Sequence, residues 1–122
     1  MSVPPIRFSL QAGLDTDPRA WTDLARKAED SGFYALYIGD HLGATASPFA
    51  ALTAAALATS TLNVGTYVLN AGIRDPLAIA SDAATVDVLS NGRFILGYQL
   101  LCSAASLAGY AQEIGGARRR WK

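Results

Sequence analysis

Three times in this chain a short polar residue is followed by proline at almost one spacing: Asp17-Pro18, Ser47-Pro48 and Asp75-Pro76, with the prolines 30 and then 28 residues apart. Each pair reads as a helix start. A short polar side chain at the N-cap accepts a hydrogen bond from an orphan N–H of the first turn, and proline at the first helical position gives up no bond it would have made. An apolar, strand-like run precedes each start, at Ile6–Leu10, Phe33–Ile38 and Leu62–Leu69. Strand then helix in about 30 residues is the length of a βα unit. The repeat therefore points to a parallel α/β fold, and the number of units becomes the main question.

The spacing of apolar residues gives the elements. A first strand over Arg7–Ala12 is closed by Gly13. A helix over Pro18–Asp30 carries Trp21, Leu24, Ala25 and Ala28 at i, i+3, i+4 and i+7, one stripe for the sheet, and Ser31-Gly32 ends it. The second strand is Phe33–Gly39, and the second helix, Pro48 to about Thr59, is nearly all alanine and leucine and is expected to be well covered. The third strand is Leu62–Leu69, rich in β-favouring residues. A helix over Pro76–Leu89 places Leu77, Ala80, Ala84 and Val88 on one face, and Asn91-Gly92 stops it. A fourth strand covers Phe94–Leu100, and Cys102–Ile114 reads as a fourth helix ending at Gly115-Gly116.

A chain of 122 residues is one domain with room for a core. Its composition is 51 % hydrophobic and 16 % charged, and runs such as Tyr34-Ala35-Leu36-Tyr37-Ile38 do not alternate, as expected of parallel strands covered on both faces. Zero net charge gives no electrostatic footprint for nucleic acid or an anionic membrane, and Arg118-Arg119-Arg120 with Lys122 reads as a solvated tail. A single cysteine, Cys102, allows no intrachain disulfide and suits a reducing compartment. Met1–Arg7 has two prolines and no apolar core of a signal peptide, and Phe49–Ala58 is too short to span a bilayer, so a soluble, cytoplasmic protein is expected.

Two architectures suit such units, an open doubly wound sheet or part of a (βα)-barrel of the TIM type. No G-x-G-x-x-G follows the first strand, which weakens a dinucleotide-binding reading, and no P-loop sequence occurs. In both architectures ligands bind at the carboxyl ends of the strands. That rule selects Gln11 and Asp15, Asp40 and His41, Asn70 and Arg74, and Gln99, Leu100 and Leu101. His41 is the only histidine, and imidazole serves as acid or base near neutral pH. The plainer reading makes Asp40 the cap of the following loop and His41 a surface residue. Asn70 either bonds a ligand or closes the turn Asn70-Ala71-Gly72, and Arg74 either grips an anion or is an exposed cation. Asp87 and Arg93 are expected to form a structural ion pair. No Cys/His/carboxylate cluster has metal-ligand spacing, and no serine lies in a G-x-S-x-G context.

Several segments together resemble the bacterial-luciferase-like family of flavin- and deazaflavin-dependent oxidoreductases: Arg7–Gln11, Trp21–Glu29, Gly39-Asp40-His41-Leu42, Val64–Leu69, Arg74-Asp75-Pro76 and Thr85–Gly97. The Asp-His pair looks most like the branch that uses coenzyme F-420. The resemblance implies a TIM barrel with the cofactor ring at the strand carboxyl ends. It implies a deazaflavin, with FMN as the alternative, and a small-molecule substrate. Asp40 and His41 match the pair beside the ring, with His41 as proton acceptor when an alcohol-type substrate gives up hydride. Tyr67 and Val68 match a strand end that often carries a non-proline cis peptide behind the ring, and Asn70 matches a cofactor-contacting position.

The sequence departs from the family in two ways. Where the resemblance leads one to expect Leu-Gly-x-Gly-x-Gly, this chain reads Leu96-Gly97-Tyr98-Gln99-Leu100-Leu101, with Cys102 beyond, so residues 98–122 form a divergent, helical tail. A complete barrel has about 250 residues and eight strands, with phosphate loops after strands seven and eight. About four strands make an incomplete half-barrel. Either two copies close an eight-stranded barrel as a homodimer, or the chain is a truncated or frameshifted product; in function it is either an oxidoreductase of this family or a non-catalytic remnant or self-associating half-barrel interaction module.

Overall fold

Asp17 and Asp75 cap their helices as the sequence implies: the Asp17 carboxylate accepts from the Arg19 N–H, and that of Asp75 from the N–H groups of Leu77 and Ala78. Ser47 precedes its helix without a side-chain cap bond, so there the start rests on Pro48 alone. The computed structural model describes residues 3–14, 17–41 and 46–99. In chain order it contains β1 (Ser9–Gln11), α1 (Pro18–Asp30), β2 (Ala35–Ile38), α2 (Pro48–Ala58), β3 (Asn63–Asn70), a 3-10 turn (Ala71–Ile73), α3 (Pro76–Leu89) and β4 (Phe94–Gln99). Tyr98 and Gln99 thus belong to β4, while the expected helix over Cys102–Ile114 lies outside the described residues.

The four strands are parallel and lie in the order β1-β2-β3-β4, so β1 and β4 are the sheet's edges. Right-handed connections between neighbouring parallel strands place every crossover helix on the same side. That side holds the core. Leu36, Ile38 and Val64 of the sheet pack with Trp21, Ala25 and Ala28 of α1 and with Phe49, Leu52 and Ala55 of α2. The register carries the same row outward, Leu10↔Leu36↔Val64↔Phe94, and Leu10 and Phe94 border the cluster. The opposite face carries the row Gln11↔Tyr37↔Gly65↔Ile95 and no helix among the described residues. This is half of a (βα)-barrel: one face covered by helices, and the other the lumen side.

α3 departs from the sequence reading. Its length is as expected, but the face carrying Leu77, Ala80, Ala84 and Val88 points outward, with Leu77 81 % and Val88 78 % exposed. Val86, 2 % exposed, is its one buried residue, and Ile79 and Ala83 lie beside it against the core. The helix is apolar nearly all round, so periodicity alone could not select the buried side.

The loop from α2 to β3 is held from two sides. Glu29, at the end of α1, accepts from the N–H groups of Ser60, Thr61 and Leu62 and from the Thr61 hydroxyl. Burial pushes this carboxyl up, but the bonds from Thr61, Leu62 and Ser60 outweigh it and hold its pKa at about 2. Arg93, entering β4, donates to the carbonyls of Ala56, Thr59, Leu62 and Ser90 and to the Thr59 hydroxyl. The expected Asp87–Arg93 pair does not form. The guanidinium instead satisfies carbonyls at the C-terminus of α2, where a cation suits both the orphan acceptors and the helix dipole.

Close approach of β3 and β4 explains two glycines. A Cβ on Gly65 would lie 2.5 Å from the Ile95 carbonyl oxygen, and one on Gly97 would lie 2.5 Å from that of Thr66. Thr66 is bonded to Gly97 in both directions: its hydroxyl donates to the Gly97 carbonyl at 2.7 Å and accepts from the Gly97 N–H at 3.1 Å.

Candidate functional site

At the carboxyl end of the sheet the β3–β4 ladder slips. Thr66 pairs with Leu96 and Leu69 with Tyr98, so β3 spends one extra residue there. Such a bulge changes which face each later side chain meets. Leu69 shows the consequence: without the extra residue it would share the lumen side with Gly65, whereas it is fully buried in the helix-side core. Asn70, its neighbour and the partner of Gln99, is moved to the lumen side by the same step. The Tyr67–Val68 peptide within the bulge is cis.

Around the bulge, the lumen face gathers groups from three strand ends. The Gln11 side chain, at the end of β1, donates its Nε2 to the Tyr67 carbonyl at 3.1 Å. Gly39, just past β2, has a bare Cα on this face. A Cβ placed there would lie 3.6 Å from His41 Cδ2, 3.8 Å from His41 Nε2 and 3.7 Å from Gln11 Nε2. The imidazole therefore folds back over Gly39 toward the Gln11 amide, and His41 is exposed. The exposed Tyr67 ring lies 6.0 Å, centroid to centroid, from the Tyr37 ring, tilted by 54°. Burial, with the charge of nearby Tyr34, pushes the Tyr37 phenol up, so it stays protonated as a donor.

Asp40 follows a different course from its neighbour. Its side chain is only 2 % exposed and is gripped by Arg74, with Nε to Oδ2 at 2.8 Å and Nη2 to Oδ1 at 2.7 Å. Oδ2 also accepts the Asn70 N–H at 3.0 Å. These hydrogen bonds raise the Arg74 pKa further. The anion that Arg74 holds is thus Asp40. The Asn70 side chain accepts from the Gly72 N–H at 3.2 Å, capping the 3-10 turn.

The structure therefore brings Gln11, His41, Tyr67, Val68 and Asn70 to one end of the lumen face and sets Asp40 behind them. Gln11 is a strand-end residue to which the sequence assigns no role. No local pattern reveals its bond to Tyr67, which depends on two segments 56 residues apart. Gln99 stands opposite Asn70, where the resemblance leads one to expect a glycine. Asp15, Leu42, Leu100 and Leu101 lie outside the described residues.

Residues 2–98 match the luciferase-like monooxygenase family. Among curated proteins, a 5,10-methylenetetrahydromethanopterin reductase of Methanopyrus kandleri is 37 % identical over 92 residues, covering 75 % of this chain and 26 % of the relative. An F-420-dependent glucose-6-phosphate dehydrogenase of Nakamurella multipartita is 36 % identical over 106 residues, covering 80 % and 31 %. The solved structure of a coenzyme F-420-dependent tetrahydromethanopterin reductase from Methanopyrus kandleri superposes with a TM-score of 0.79 at 32 % identity, covering 88 % of this chain and 30 % of that one. The chain thus spans between about a quarter and a third of the length of the curated relatives it matches.

Proposed function

The chain belongs to the luciferase-like monooxygenase family, and from that premise we propose that its strand ends form the ring-side half of an oxidoreductase site for a deazaflavin of the F-420 type, with FMN as the alternative. The observation that carries the reading is the convergence of Gln11, His41 and Asn70 around the β3 bulge on the lumen face. A flat heteroaromatic ring with carbonyl acceptors and N–H donors suits that set. The two carboxamides both donate and accept, the Tyr67 ring offers an apolar surface, and the Asp40 carboxylate is turned away into its pair with Arg74. Bound there, a deazaflavin supplies a carbon that accepts hydride.

The chain's own residues do the rest. His41, exposed beside Gly39, takes the hydroxyl proton of an alcohol-type substrate as its C–H bond gives up hydride, which leaves a carbonyl product and an imidazolium. Tyr67 and Val68 would hold the ring from the bulge side, and Asn70 would offer it a hydrogen bond. The phosphate side is not supplied by the described residues: Arg74, the cation nearest the strand ends, is already paired. Turnover is therefore proposed for a site completed by strands beyond β4.

A second reading, a non-catalytic half-barrel remnant or self-associating module, is favoured by Gln99, which stands at the ring end of β4, and by the two sheet edges that no other strand pairs among the described residues. Adding F-420 and FMN separately while following absorbance and fluorescence discriminates. A spectral change at micromolar cofactor, with His41→Ala abolishing turnover but retaining binding, supports the oxidoreductase. No change at high micromolar cofactor supports the remnant.

A further inference from the structure

The β2–β3 ladder ends at Ile38↔Thr66, and the extra residue of β3 follows at once. Beyond that point, where His41 and Asn70 sit, the two segments are joined through the Asp40 carboxylate. One oxygen takes Arg74 Nη2, and the other takes Arg74 Nε and the Asn70 N–H. Each oxygen thus has a donor, and the group is enclosed. Its position beside His41 in the sequence suggests a second ring-side group; its geometry gives it a different task.

We infer that Arg74 is a positioning residue for the site. It draws Asp40 from the end of β2 onto the turn after β3, and so fixes the backbone on which His41 and Asn70 are carried. Arg74 is suited to this because a planar guanidinium meets both carboxylate oxygens at once, which a lysine ammonium does not do. Its own place is set by the 3-10 turn, which Asn70 caps, and by the Asp75 cap of α3 that follows immediately. The same short segment therefore carries a ring-side residue, its clip and a helix start. The inference rests on the reading of His41 and Asn70 as ring-side groups and adds a residue that does not touch the ring.

The test uses the full chain, isotopically labelled, as wild type, Arg74→Lys and Arg74→Met. One readout is amide exchange at Asn70, compared with Leu36 and Val64 in the core. The other is the side-chain resonance of His41, unambiguous because the chain has one histidine. Asn70 exchange is expected to rise at least tenfold in both variants and the His41 signal to shift, with Leu36 and Val64 exchange unchanged and the F-420 dissociation constant raised at least tenfold. Unchanged Asn70 exchange and His41 signal, or core amides accelerating as much as Asn70, overturns the inference. If Arg74→Met does not fold, Arg74→Lys decides on the same readouts. A wild-type chain that responds to neither F-420 nor FMN overturns the ring-site reading instead, and the exchange data still decide whether the clip exists.

Discussion

Replacing Arg93 by methionine keeps the aliphatic stem and removes a guanidinium that donates five hydrogen bonds, to the carbonyls of Ala56, Thr59, Leu62 and Ser90 and to the Thr59 hydroxyl. A hydrogen bond to a charged group contributes about 1.5–3 kcal/mol, but five from one side chain do not add, and water reaches some of the freed carbonyls. Losing the charged partner of several partly buried acceptors is therefore expected to cost about 3–4 kcal/mol, near the range for breaking a buried pair. For a 122-residue chain, between the small and mid-sized classes, about 1 kcal/mol moves Tm by roughly 3–6 °C, so Tm falls by at least about 9 °C. Arg93→Lys keeps the charge and loses the fork, and about half the penalty is expected. Urea unfolding followed by Trp21 fluorescence in a Trp121→Phe background measures this, because Trp21 is buried with its indole N–H on the Ala51 carbonyl at 2.8 Å. Glu29 holds the N–H groups of the same loop. Glu29→Gln combined with Arg93→Met should therefore fall short of additivity by about 0.5–1.5 kcal/mol. An Arg93→Met penalty under about 1 kcal/mol, or strict additivity, refutes the two-sided clamp.

Other perturbations test other parts of the account. The Glu29 carboxyl titrates at about 2 in the fold against an ordinary 4.5, so its contribution is fully present above pH 4.5 and is lost as pH falls toward 2; Glu29→Gln should flatten that part of an acid-unfolding curve. Gly97→Ala and Gly65→Ala each drive a Cβ to 2.5 Å from a backbone oxygen, and a loss of at least about 2 kcal/mol is expected in denaturant unfolding, since the backbone must move. Val86→Ala should cost about 2 kcal/mol, whereas Leu77→Gln and Val88→Gln should stay within about 0.5 kcal/mol, as their burial dictates. His41→Ala should leave the urea midpoint nearly unchanged, because the side chain is exposed beside Gly39.

The architecture was legible because its signals are local. Proline starts each helix, after a capping aspartate in α1 and α3, Gly32 at φ 77° takes the left-handed turn after α1, and unbroken apolar runs mark the strands. The ends of α1 and α3 fall where the sequence put them. What could not be read depends on contacts between distant segments. Apolar residues are spread nearly all round α3, so only packing shows that Val86 faces the core while Leu77 and Val88 do not. Arg93 has Asp87 one helical exit away, yet finds five acceptors across the α2–β3 loop. The strand-end rule selects both Asp40 and Arg74, but nothing in a stretch of 34 residues says that one binds the other. The bulge itself has no composition signal. Only the family resemblance points to it, through the non-proline cis peptide expected at Tyr67–Val68, which the structure has; the register slip and the burial of Leu69 then show that it puts Asn70 on the lumen side.

The proposed function requires that the carboxyl ends of β1, β2 and β3 form a surface for a deazaflavin ring. The most direct measurement is a titration of the labelled full chain with F-420, followed by backbone and side-chain resonances. Shifts concentrated at Gln11, Gly39, His41 and Tyr67–Asn70, with Glu29, Thr61 and Arg93 at the opposite end of the sheet unmoved, are the predicted result. No shifts at high micromolar F-420, or shifts gathered at the Glu29–Arg93 end, would contradict it.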